Sequence, residues 1–152
     1  MASDESRRRK RDEKAKVILG TLRERYPLVF QTPPMPLASN IEDQIKEATG
    51  CHDRTVISKA LRQWMRTHKY LAAVTAGGLR YNLDGSPNGT VSRLARDGAK
   101  EAMQELQHHW RDTGREHLIA SAEQVAFLAR ERRRLHWPTP DEDDEYEEPQ
   151  PH

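Results

Sequence analysis

The sequence is short of most parts from which enzymes and membrane proteins are built. It has one cysteine, Cys51, in 152 residues. That excludes an internal disulfide and argues against a zinc site made from Cys and His. Aromatics are 6% of the chain and hydrophobic residues 35%, with a mean hydropathy of −0.97. So few apolar residues cannot fill a core along the whole length. The expectation is one compact domain with solvated ends. No apolar run approaches the roughly 18 residues of a membrane span. The N-terminus is charged from Asp4 onward and has no apolar stretch of the secretory type. A soluble, cytoplasmic, reducing setting fits best, with no membrane partner and a monomer as the default. Chemical signatures are missing too. There is no phosphate-binding P-loop, no Gly-x-Ser-x-Gly and no His-Glu-x-x-His among the seven histidines. No catalytic residue, metal, cofactor or small-molecule substrate is therefore assigned. Cys51 reads as a structural side chain.

Charge is distributed unevenly. The formal net charge is +1. Residues 141–152 carry seven acids and no Lys or Arg. All 25 Lys and Arg thus lie in residues 1–140, against 17 acids, for a net +8. A basic body followed by an acidic tail points to a polyanionic partner.

Punctuation along the chain predicts helices and one hairpin. Residues 1–13, with Arg7 to Arg11 all basic, read as a disordered arm. A helical pattern starts at Lys14, through Val17, Ile18 and Leu22, and Pro27 stops it. Residues 27–38 hold four prolines and read as an extended connector on the surface. Ser39 and Glu42 have capping-box spacing before a short helix that Gly50 ends. Asp53 is placed to cap a helix over 54–67 whose apolar face is Ile57, Ala60, Leu61 and Trp64. Another helical turn at 70–74 ends at Gly77-Gly78. Leu79 to Leu83 alternates, Asp84-Gly85-Ser86-Pro87 is turn chemistry, and Gly89 to Val91 reads as a return strand. Ser92 is positioned to cap a long helix to Asp112, with Ala99, Met103 and Trp110 inward, and Thr113-Gly114 breaks it. Ser121 and Gln124 suggest a capping box before a last helix carrying Val125, Leu128 and Leu135. Trp137-Pro138 closes the ordered part, leaving 138–152 as a disordered acidic tail. The domain is set at 14–112, with a helical extension over 113–137. The fold class is mostly α with a small β-hairpin.

The most informative stretch is residues 54–83. It holds Arg54, Lys59, Arg62, Arg66, Lys69 and Arg80, and no Asp or Glu. Lys59, Arg62, Arg66 and Lys69 are separated by three, four and three residues, so one continuous helix would carry them on one face. Four cations on a stripe repel each other unless an anion neutralises them. Phosphates do so, with counterion release driving binding. Tyr70 follows Arg66 by four residues. It reads either as an aromatic able to stack on an unpaired base or as a half-buried Tyr with a bonded hydroxyl. A second basic cluster, Arg130 and Arg132 to Arg134, extends this surface or is simply solvated.

Residues 16–106 resemble the ProQ/FinO domain. The features occur in order: Arg25-Tyr26-Pro27 and Phe30, Pro36-Leu37, and Thr55 followed by Lys59-Ala60-Leu61-Arg62. Then come Tyr70-Leu71, Gly77, and the run from Arg80 through Asp84-Gly85 and Pro87 to Gly89. The most specific piece is the Leu83-Asp84-Gly85-x-Pro87-x-Gly89 turn with Arg80 ahead of it. The resemblance implies a bacterial RNA chaperone. It implies a concave basic face that grips the base of a terminator-type hairpin. It also implies a Tyr–Arg pocket for the single-stranded 3′ tail, by position Tyr70 and Arg80. Arg62 matches a basic position of that face, and Arg54 falls near one. The expected partner is structured RNA and the expected role post-transcriptional regulation through small or antisense RNAs.

Three positions depart from the family pattern. Ser58 stands where an Arg is frequent, Ala38 where a Lys often follows Pro-Leu, and Asn40 where Gly is common. Two other classes of function stay open. The helices flanking Gly50 mimic helix-turn-helix spacing, as in a DNA-binding regulator. The acidic tail suits a protein-interaction adaptor, or a segment that folds back on the basic face.

Overall fold

The computed structural model describes residues 3–31 and 33–136. The expected end of order at Trp137-Pro138 and the acidic tail lie outside the described residues. Helix α1 runs Asp4–Arg25, α2 Pro27–Phe30, α3 Ile41–Thr49, α4 Arg54–Met65 and α5 His68–Ala76. Strands β1 (Leu79–Tyr81) and β2 (Pro87–Thr90) form an antiparallel hairpin. Helices α6 (Arg93–Asp112) and α7 (His117–His136) follow.

Residues 4–13 are helical, which corrects the disordered arm read from sequence. Ser3 caps α1 by accepting from the Ser6 N–H, and Asp4 and Glu5 occupy the positive first turn. The segment has no apolar periodicity to announce it, but Arg, Lys and Glu are good helix formers. Asp12 then ties α1 to α4 through Lys59, Nζ to Oδ1 at 2.8 Å. Further along, Ala15 packs with Val56 and Ala60 of α4. Arg25 donates to the Ala48 carbonyl of α3 at 3.0 Å.

Pro27 ends α1 as expected and opens α2. The connector that follows is not a surface strand: Pro34 to Ala38 are all buried. Its backbone pairs with β1, with Tyr81 N–H donating to the Pro36 carbonyl at 2.8 Å and Ala38 N–H to the Tyr81 carbonyl at 2.9 Å. The prolines suited exposure, but an edge position beside a hairpin uses the same extended geometry.

Caps behave unevenly. Asp53 caps α4 by accepting from Thr55 and Val56 N–H, and Ser92 caps α6 by accepting from Ala95 N–H. Gly50 ends α3 at φ 72°, a conformation that favours glycine. Neither predicted capping box forms. The N-cap of α3 is Asn40, one residue after Ser39, and its side chain accepts from Gln44 and Asn88 side chains rather than from a helix N–H. Ser121 lies inside α7, which starts at His117. The inward face of α7 is Ala122, Val125 and Ala129, whereas Leu128 and Leu135 are 41% and 76% exposed.

The main core gathers Leu22, Val29, Phe30, Leu37, Ile45, Ile57, Leu61, Trp64, Val74, Tyr81 and Leu83 from α1 to the hairpin. The hairpin turn is docked on α3 by Gln44, which donates to Asn82 Oδ1 at 2.7 Å and accepts from Leu83 N–H at 3.0 Å. A second, small-residue cluster seats α7 on α5 through Ala72, Ala76, Val125 and Ala129. Arg132 of α7 donates to the Pro33 carbonyl, so this part of the second basic cluster is structural.

Replacing Asp53 by Ala is expected to cost about 1 kcal/mol of folding stability, because two α4 N–H groups lose their acceptor. Urea denaturation measures it. A change below about 0.3 kcal/mol would mean that the cap contributes nothing.

Candidate nucleic-acid interface

The predicted cationic stripe is broken by the fold. Helix α4 ends at Met65, Arg66 is its C-cap, and Thr67 caps α5 by accepting from Tyr70 N–H. Lys69 therefore sits on a different helix. Lys59 faces α1 and is paired with Asp12. Arg54 is exposed in the first turn of α4. What remains together is more compact. Ser58, Leu61, Arg62 and Met65 of α4 and its C-cap Arg66 form one wall of an open cleft of about 580 Å³. Leu37, Ala38, Ser39, Ile41 and Glu42 form the facing wall, and Arg80 of β1 completes the lining.

Arg62 and Arg66 are exposed. Among the described residues neither guanidinium has an ion-pair or hydrogen-bond partner. Arg80 is half-buried and oriented: its Nη1 donates to the Leu37 carbonyl at 2.9 Å. A guanidinium has five N–H donors in a fixed plane, so one bond aims the group and leaves others for a ligand.

Tyr70 lies beneath the cleft rather than in it. It is 2% exposed, which corrects the reading of Tyr70 as an open stacking platform. Its hydroxyl accepts from the buried Leu37 N–H at 3.1 Å, and the Arg80 guanidinium lies beside it. Burial pushes the Tyr70 phenol above its ordinary pKa, against smaller opposing effects of Leu37 and Arg80. Tyr70 thus holds Leu37 and Arg80 in place.

Among the lining residues that sequence reasoning did not assign to the site, Glu42 and Ser58 are bonded to each other. Ser58 donates to Glu42 Oε1 at 3.1 Å across the two walls. Glu42 was legible only as the acid of a capping box that does not form. Its outlook follows from the crossing of α3 and α4, which no local pattern encodes.

A family model described as ProQ/FINO matches residues 12–116. The chain belongs to the ProQ/FINO family. Curated relatives include the RNA chaperone ProQ of Shewanella baltica, 33% identical over 100 residues covering 59% of this chain and 46% of that protein. The RNA chaperone ProQ of Shewanella amazonensis is 31% identical, over 59% of this chain and 43% of its own. The chain thus spans less than half the length of these relatives. Among solved structures, a FinO-like RNA chaperone from Neisseria meningitidis has a similar fold, with a TM-score of 0.55 at 23% identity. That match covers 62% of this chain and 80% of the other. The cleft and the hairpin both fall inside the family match. Among the described residues no helix is long and apolar enough to cross a membrane, and no cluster could hold a metal ion.

Tyr70→Phe leaves the Leu37 N–H without its acceptor and is expected to cost about 1–3 kcal/mol of stability. Tyr70→Ala also opens a cavity and is expected to cost about 3–5 kcal/mol. Above about pH 10 the unfolded chain releases the Tyr70 proton while the folded chain retains it, so stability falls as pH rises there. That fall is expected to be shallower in Tyr70→Phe than in the wild type. Denaturant titrations at pH 8 and 11 provide the comparison, and equal falls would show that Tyr70 carries no linkage.

Proposed function

We propose that this chain is an RNA-binding module of the RNA-chaperone kind. It grips the base of a terminator-type hairpin in the α3–α4–β1 cleft and takes the single-stranded 3′ tail beside Arg80. The observation that carries this reading is the convergence of Arg62, Arg66 and Arg80 on one cleft, with Arg62 and Arg66 unpaired among the described residues. Unpaired cations held close together gain most from a ligand with closely spaced negative charges. An A-form duplex presents phosphates at fixed spacing, so a rigid wall can match them without reading sequence. The relatives named RNA chaperones support the same class. Arg80, aimed by Leu37, suits a terminal ribose or phosphate. Arg54 and Lys69, outside the cleft, extend the positive field. Lys59 acts mainly through Asp12. The role is support of small-RNA or antisense-RNA stability and pairing, by a cytoplasmic monomer with no catalytic step.

A binding series at ~150 mM salt tests the reading. It compares a hairpin with a 3′ U tract, the same hairpin without its tail, one ending in a 3′ phosphate, and duplex DNA of equal length. The tailed hairpin with a free 3′ hydroxyl is expected to bind tightest. Equal binding to all four reduces the chain to a general polyanion binder, and a preference for duplex DNA favours the helix-turn-helix alternative. Arg62→Ala is expected to weaken the tailed hairpin by about 1–3 kcal/mol with the fold intact, and Arg80→Ala to weaken it at least as much while also lowering stability, because the buried Leu37 carbonyl loses its donor. The log–log salt slope should be roughly −3 to −5 if four to six phosphates are neutralised, and Arg62→Ala should reduce it by about one.

A further inference from the structure

A carboxylate is out of place in a cleft built for phosphates. Glu42 lines the same cleft as Arg62, Arg66 and Arg80. It is half-buried, and among the described residues it pairs with none of them. Among the described residues its one side-chain bond is from Ser58, Oγ to Oε1 at 3.1 Å. A carboxylate offers acceptors only. Against a phosphodiester, which also offers acceptors only, it is repulsive. A residue in this position discriminates against any ligand that brings negative charge without a donor.

An RNA backbone brings such a donor at every nucleotide, the ribose 2′-hydroxyl. A DNA backbone does not. We propose that Glu42, held by Ser58 against the arginine wall, accepts a hydrogen bond from a ribose 2′-hydroxyl and so selects RNA over other polyanions. The assignment rests on the RNA-binding reading of the cleft and adds a specificity residue to it. Ser58 is the positioning residue. Its hydroxyl engages Oε1 and leaves the second carboxylate oxygen for the ligand. Position 58 is also where the sequence departs from the family's frequent Arg. In place of one more cation, this chain has a serine that orients an acceptor. The cleft thereby gives up general phosphate attraction and gains a test for the sugar.

The test uses the full chain and two hairpins of identical sequence with a 3′ tail, one of natural RNA and one with 2′-fluoro sugars. Fluorine preserves the sugar pucker of A-form RNA but cannot donate a hydrogen bond. Fluorescence anisotropy gives both affinities for the wild type, Glu42→Gln, Ser58→Ala and Arg62→Ala. The wild type is expected to favour natural RNA by about tenfold, the scale of one hydrogen bond to a charged group, and Glu42→Gln to within about twofold. Ser58→Ala should fall between them. Glu42→Gln keeps the side chain's size and an acceptor for Ser58, and unchanged thermal melting shows that the fold is retained. If Arg62→Ala weakens both hairpins while Glu42→Gln keeps the wild-type preference, the assignment is wrong and the cleft stands. The assignment also fails if Glu42→Gln tightens both hairpins equally, since Glu42 is then a source of repulsion alone. If Arg62→Ala changes neither affinity, the cleft reading fails, and the role of Glu42 with it.

Discussion

Pro36, Leu37 and Ala38 are buried in extended backbone with no helix of their own, and a buried peptide group must find a partner. Four groups from elsewhere supply them. Tyr81 satisfies the Pro36 carbonyl and the Ala38 N–H, the Tyr70 hydroxyl accepts the Leu37 N–H, and Arg80 donates to the Leu37 carbonyl. Proline 36 has no N–H to place. This exchange fixes α5, β1 and the start of α3 relative to one another. The cleft exists because of it: Leu37 and Ala38 line one side, and the Arg80 that completes the lining is aimed by the same carbonyl.

Much of the fold was legible wherever a local rule has one physical outcome. Asp53 and Ser92 cap because each precedes a helix with an apolar face, and Gly50 stops α3 because it tolerates a positive φ. The Asp84 to Gly89 turn was equally plain. The failures share a cause. Ser39–Glu42 and Ser121–Gln124 have the right spacing, but spacing does not decide which residue leaves the helical conformation. Proline-rich sequence suggested exposure, yet burial of 34–38 was decided by a partner strand distant in sequence. Residues 4–13 form helix without apolar periodicity, supported by a cap and by the Asp12–Lys59 pair.

The candidate site divides in the same way. Arg62, Arg66 and Arg80, which stand out in sequence through the absence of acids over 54–83, all line one cleft, because a local bias in charge survives folding. The stripe itself did not survive. Helix period does not continue across Thr67, where one helix stops and the next is capped, so Lys69 belongs to α5 and not to the α4 stripe. Lys59 failed for another reason: its neutralising acid lies 47 residues away. Glu42 and Ser58 are separated by 16 residues, and only the packing of α3 on α4 brings them together.

The cleft's parts differ in what they do for stability. Tyr70 and Leu37 are core side chains, and their loss would damage fold and site together. Arg62 and Arg66 are exposed and without partners among the described residues, so mutual repulsion makes them a small burden on the folded state. Lys59, on the same helix, escapes that burden through Asp12. Charge left uncompensated at Arg62 and Arg66 is the pattern of a surface arranged for a ligand rather than for stability alone. Glu42 fits this pattern. It could have neutralised a neighbouring arginine, and it is instead held by an uncharged serine. Both signs of charge thus remain available in one cleft, and the proposed ligand offers both phosphates and hydroxyls to meet them.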